Sequence, residues 1–150
     1  MLFVRWKYAP TLEYPTELKA MSRIFVLSRN SSAEVTAAMS DCIELLRRAS
    51  GHTTDCGELA RAAIGIDTDT HLALAAAMFR KSIPAETFDA EVIGCFSGPG
   101  LAETCATSRF RVFGIVESAY CSALLLGQRF GVISLGSSST ARHARQIQAL

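Results

Sequence analysis

The sequence predicts an α/β fold, a doubly wound and mainly parallel sheet with helices on both faces. Short β-favouring apolar runs recur along the chain, and segments with apolar residues three or four apart follow them. This alternation implies parallel pairing through crossover helices. With 150 residues, 49% hydrophobic and 19% charged, the chain is long and apolar enough for one ordinary core.

Met1–Ala20 holds two of the four prolines and scatters Arg5, Lys7, Glu13, Glu17 and Lys19 among its apolar residues. It lacks the unbroken apolar stretch of a signal peptide, and residues 1–22 are expected to form a flexible N-terminal extension. Met21, just before the patterned part, is an alternative start to Met1. Arg23-Ile-Phe-Val-Leu27 reads as the first strand, and Ser28-Arg-Asn-Ser-Ser32 as a polar turn able to cap a helix. Ala33–Ala49 reads as that helix, with Val35, Met39, Cys42, Ile43 and Leu46 as its apolar face, Arg47 and Arg48 at its cation-favouring end and Ser50-Gly51 as its stop.

Residues 52–66 are less patterned; Thr53-Thr-Asp-Cys56 is a candidate second strand with little apolar bulk. His71–Lys81 reads as a helix ended by Pro84, and Phe88–Cys95 as a strand. Arg111–Ile115 is a further strand and Glu117–Leu126 a helix stopped at Gly127; Arg129–Leu135 then reads as a strand and Thr140–Leu150 as a last helix.

Lys and Arg total 15 against 14 Asp and Glu, a formal charge of +1, so no overall field gathers nucleic acid or an anionic membrane surface. No segment is long and apolar enough to span a bilayer. A small-molecule substrate is the expected partner. The five cysteines, at 42, 56, 95, 105 and 121, form neither CxxC nor a zinc-like Cys/His pattern, which fits reduced thiols in a cytoplasmic protein. His52, His71 and His143 are far apart in sequence, so no metal is expected, and there is no GxGxxG or GxxxxGK[ST] for a nucleotide.

Function in such folds gathers at strand carboxyl ends. Two ends carry suitable residues. Cys95-Phe-Ser-Gly-Pro-Gly100 leaves a strand for a glycine-shaped turn, where nearby backbone amides would favour a thiolate; a buried, inert cysteine is the competing reading. Asn30, Ser31 and Ser32 either only cap the first helix or also hold an anionic oxygen. Glu117 is explained by the helix dipole or by a cleft, Ser134 stands at a strand end, and Arg29 reads as a solvated turn residue. Cys42 and Cys121, on helices, read as core residues.

Ile93-Gly-Cys-Phe-Ser-Gly-Pro-Gly-Leu101 resembles the first catalytic-cysteine motif of hydantoin and allantoin racemases, within the aspartate/glutamate/hydantoin racemase superfamily. Arg23 to Thr36, with Asn30-Ser-Ser-Ala-Glu-Val-Thr36, is similar to that family's opening strand and substrate loop. Gly114-Ile-Val-Glu-Ser-Ala119 and Leu125-Leu-Gly-Gln-Arg-Phe-Gly-Val-Ile-Ser134 are similar to its later segments. The resemblance runs from Ser22 to Leu150. It departs at Ser28-Arg29-Asn30, where the family often has Asn-Pro-Asn, and at Gly98, where it often has an acidic residue.

The resemblance implies a racemase without cofactor or metal, in which two cysteines face opposite sides of an acidic carbon; one thiolate takes the proton and the other thiol returns it. Cys95 would be the catalytic residue, with Asn30, Ser32, Phe96, Ser97, Glu117 and Ser134 binding substrate. Residues 23–110 would form a first α/β lobe carrying the Cys95 loop and 111–150 the start of an incomplete second lobe. The family's second cysteine lies in a later Gly-Cys segment, so a C-terminally truncated chain with half a site is expected, exposing apolar edges that favour a homo-oligomer. The alternatives are an inactive small-molecule-binding remnant and a single-cysteine decarboxylase-like enzyme.

Overall fold

The computed structural model describes residues 21–79, 88–127, 129–134 and 136–150. The expected extension, apart from its last two residues, and the expected Pro84 stop lie outside them. Nine elements follow one another: β1 (Arg23–Ser28), α1 (Ala33–Ser50), β2 (Thr53–Glu58), α2 (Asp69–Phe79), β3 (Ala90–Ile93), α3 (Leu101–Thr107), β4 (Arg111–Gly114), α4 (Ile115–Leu126) and α5 (Ser137–Gln148).

The strands form one four-stranded sheet in the order β2-β1-β3-β4 with every pairing parallel. Phe25 stands opposite Glu91 and Leu27 opposite Ile93, so these side chains share a face. On that face Leu27 packs with Leu59 and Met78, while Ile93 packs with Leu101 and Val112. The backbone alternation sends Gly94 the other way, toward Met39 of α1: a β-carbon on Gly94 would lie 2.8 Å from the Met39 sulfur. Helices therefore cover both faces, and the α/β doubly wound arrangement expected of the sequence is present. Full burial of Ile93 and Val116 contributes about 1.5–3 kcal/mol each.

The weak pattern of β2 has a packing explanation. Gly57 leaves room for Phe25, whose ring would lie 2.7 Å from a β-carbon there, and that ring in turn stacks on Phe88 at 4.9 Å. Bulk on β1 takes the place of bulk on β2. Because β2 is an edge strand, α1 is only partly covered and has no fully buried residue. Its inward positions are Met39, Ile43 and Arg47, the last donating to the Thr54 carbonyl and to Ser40. Val35, Cys42 and Leu46, expected on the buried face, are exposed, and so is Cys121 on α4.

Two further expectations change. Arg129–Ser134 forms no strand, although exposure alternates along it; no described strand lies beside it to complete a ladder. Instead, α5 begins three residues early, with Ser139 and Thr140 hydroxyls donating to the Gly136 carbonyl. The helix α3 was not expected at all. β4 is hydrogen-bonded to β3 from Arg111 to Gly114. Among the described residues no helix is long and apolar enough to cross a membrane.

Candidate active site

The chain moves from β1 to β2 in one direction along the sheet and from β3 to β4 in the other. The carboxyl ends of β1 and β3 therefore flank the switch point, where a crevice opens in doubly wound sheets. Ser28–Ser32 and Gly94–Gly100 leave those two ends, and the Gly94 amide donates to the Leu27 carbonyl at 2.9 Å, keeping the loops side by side.

Asn30 shapes the first loop. Its Oδ1 accepts from the Ser32 amide at 2.9 Å and from the Ser28 hydroxyl at 3.0 Å. Ser32 caps α1, its Oγ accepting from the Val35 amide at 3.2 Å. Both side chains have local structural work, and neither is among the residues lining the cavity described below.

Arg29 is not solvated. It is fully buried, with Nη2 placed 3.4 Å from both Glu91 Oε1 and Thr104 Oγ1, and those two residues are buried as well. The turn reading failed because Arg29 continues the inward alternation of β1 and folds under α3, where Glu91 supplies an opposite charge from the neighbouring strand. Burial pushes Glu91 up to about 7 and brings Arg29 down to about 10, each opposed by attraction between the two.

Cys95 is half-buried against the Ile93, Leu101 and Val112 cluster, where Cys105 of α3 also packs. Burial pushes its thiol up. The amides of Ser97 and Gly98, then the charges of Arg29 and Arg142, oppose this without overcoming it. The amides expected beside Cys95 are present, and desolvation outweighs their pull on the thiol. Gly98 and Gly100 take left-handed conformations, φ 58° and 70°, and carry the chain from the cysteine into α3.

The next two residues open onto a cavity of about 310 Å³ lined by Ile66, Asp67, Phe96, Ser97, Ile133, Ser134, Gly136, Ser138, Ser139 and His143. Three sequence-predicted residues, Phe96, Ser97 and Ser134, are brought together here. Cys95 adjoins this wall through the chain and is not among its lining residues. A second hollow of about 510 Å³, between Phe130–Val132 and α5, shares Ser134 and His143 with the first. Glu117 lies elsewhere, half-buried on the first turn of α4; burial raises it, and burial first and the Glu117 charge next raise Cys105.

Helix α5 clamps the cysteine loop. Arg142 Nη1 donates to Ser97 Oγ at 2.9 Å and Nη2 to Asp69 Oδ1 at 2.8 Å, while Gln146 Nε2 donates to the Ser97 carbonyl at 3.0 Å. The sequence pattern placed α5 but did not single out Arg142, His143 or Gln146. Their four-residue spacing from Arg142 to Gln146 on one helix face was the available signal. Among the described residues no three His, Cys, Asp or Glu side chains group as a metal site.

The profile of the Asp/Glu/hydantoin racemase family matches residues 24–150. Two solved structures share the fold with a TM-score of 0.73 each, an allantoin racemase from Klebsiella pneumoniae, 24% identical, and one from Pseudomonas fluorescens, 20% identical. Each comparison covers 85% of this chain, which spans 53% and 55% of the length of those two proteins. A comparison with curated protein sequences gives no match.

Proposed function

The chain belongs to the Asp/Glu/hydantoin racemase family, and we propose that it takes part in cofactor-independent inversion of a small molecule at an acidic carbon, with Cys95 as one of the two proton-handling groups. The observation that carries this reading is the position of the Cys95 loop at the sheet's switch point, with Phe96 and Ser97 turned into a cavity of about 310 Å³.

Inversion needs an acid and a base on opposite faces of the carbon, plus donors for the oxygen that gains charge. Cys95 enters as a thiol because burial raises it, so its part is to give a proton to the carbanion. Ser97, Ser134 and Ser138 supply hydroxyls along the wall. The lining also contains one carboxylate, Asp67, and neither Lys nor Arg among the described residues. A neutral ring bearing N–H and C=O groups, as in a hydantoin or allantoin, suits such a wall better than a dicarboxylate such as aspartate.

Cys95 adjoins the cavity wall through its chain neighbour Phe96, which lines it. A cytoplasmic setting fits the free thiols. The test is a polarimetric assay on single enantiomers of allantoin, an alkylhydantoin and aspartate, with and without Cys95→Ser. Loss of rotation with the hydantoin-type compounds, abolished by the substitution, is expected. Deuterium uptake from solvent without inversion would instead favour a single-cysteine protonation chemistry, and unchanged activity of Cys95→Ser would remove this residue from the mechanism.

A further inference from the structure

Ser97, Ser134, Ser138 and Ser139 line the cavity, and each hydroxyl has one hydrogen to give. The last three have given theirs to the protein. Ser139 donates to the Gly136 carbonyl at 2.8 Å and Ser138 to the Asp67 carbonyl at 3.4 Å. Ser134 lies 3.2 Å from the Gly136 carbonyl and 2.6 Å from Ser139 Oγ, and its hydrogen goes to one or the other. Ser97 differs. Its amide turns to the Cys95 sulfur, its carbonyl accepts from Gln146 Nε2 at 3.0 Å, and its Oγ accepts from Arg142 Nη1 at 2.9 Å. A guanidinium only donates, so it cannot take the Ser97 hydrogen, which is left uncommitted among the described residues. Arg142 is itself fixed: it is 4% exposed, and its Nη2 donates to Asp69 Oδ1 at 2.8 Å.

We propose that Ser97 donates to a substrate's carbonyl oxygen as the neighbouring carbon loses its proton, and that Arg142 is the positioning residue that aims and polarises this hydroxyl; the inference rests on the racemase reading. When the carbon-bound proton leaves, the C–H electron pair moves into the adjacent carbonyl and charge collects on its oxygen. The hydroxyl keeps its own proton and tightens its hydrogen bond to that oxygen, and the cation behind Oγ strengthens the donor. The lining has neither Lys nor Arg among the described residues, so the arginine's charge reaches the substrate through a neutral serine. Such a donor suits a ring carbonyl that is uncharged on binding and charged only on deprotonation.

The experiment records the infrared carbonyl bands of a bound alkylhydantoin labelled with carbon-13 at its ring carbonyls, with affinity measured by calorimetry. Ser97→Ala is expected to move one band to higher frequency and to weaken binding about tenfold. Arg142→Gln is expected to move the same band, and in the Ser97→Ala background to change neither band nor affinity further. A role in folding alone would weaken binding in both backgrounds and overturns the assignment of Arg142. Ser97→Ala decides the part of Ser97 even where Arg142→Gln does not fold. Bands unmoved by Ser97→Ala, or moved by Ser134→Ala instead, overturn the inference and leave the racemase reading standing. No binding of the alkylhydantoin by the unsubstituted chain overturns both.

Discussion

Burial and its surroundings act on Cys95 in opposite directions, and the outcome is measurable. The thiol is raised by desolvation against the pull of two amides and two arginines, so alkylation, which needs the thiolate, is expected to be slow at mildly alkaline pH. Exposed Cys42 and Cys121 should react first, as mass spectrometry of the alkylated peptides would register. Beneath the loop, the Arg29–Glu91 pair loses more by burial than attraction returns, as both shifts indicate. Arg29→Met alone should therefore lower stability by about 3–5 kcal/mol in a denaturant melt, whereas Arg29→Met with Glu91→Leu should be neutral or more stable by about 1–4 kcal/mol. Glu91 also gives a pH signature. Its carboxyl is pushed from 4.5 up to about 7 on folding, so the folded chain keeps a proton that the unfolded chain releases in that window. Stability falls as pH rises through it, and Glu91→Gln flattens the slope. Cys95, Phe96 and Ser97 were legible in the sequence because one short motif carries them together. Arg29 was not, because its fate depends on a carboxylate 62 residues away.

The elements read from the sequence were those whose pattern is local. β1, α1, β3, β4 and α4 each carry their own periodicity or caps. β2 was hard to read because the bulk that covers Gly57 belongs to Phe25 on another strand. The opposite error occurred at Arg129–Ser134, where a strand-like composition has no described neighbour to pair with. The seven residues of α3 are too few to display a helical stripe. The loop that joins β3 to α3 offers a prediction at this scale. Gly51 and Gly100 both have a left-handed backbone, φ 69° and 70°, but a β-carbon at Gly51 meets nothing within 4 Å while one at Gly100 lies 3.0 Å from Ala76 Cβ. Gly51→Ala should therefore cost about 1–2 kcal/mol from the backbone alone. Gly100→Ala should lower the denaturation midpoint further, the difference measuring how tightly α2 holds the loop.

At the scale of the whole molecule, exposed apolar side chains occur both early in the chain, at Leu45, Leu46 and Ile64, and late in it. Leu124, Leu125 and Leu126 are 50%, 88% and 90% exposed, and Ile133 is 98% exposed. These side chains contribute little to the fold as it stands, so Leu125→Lys should change unfolding stability by no more than about 0.5 kcal/mol, while Val116→Ala, at a fully buried position, should cost about 0.5–3 kcal/mol. The doubly wound topology was legible from the alternation of strands and helices. The way α5 grips the cysteine loop was not, since it depends on contacts such as Arg142 to Ser97 across 45 residues. The central claim is that a small molecule held by Phe96, Ser97 and Ser134 also reaches Cys95, the neighbouring residue in the chain. The direct measurement is the alkylation rate of each cysteine, followed by mass spectrometry, with and without saturating allantoin or an alkylhydantoin. Selective slowing at Cys95, with Cys42 and Cys121 unchanged, is the predicted result. A Cys95 rate unaffected by a ligand shown to occupy the cavity would contradict the account.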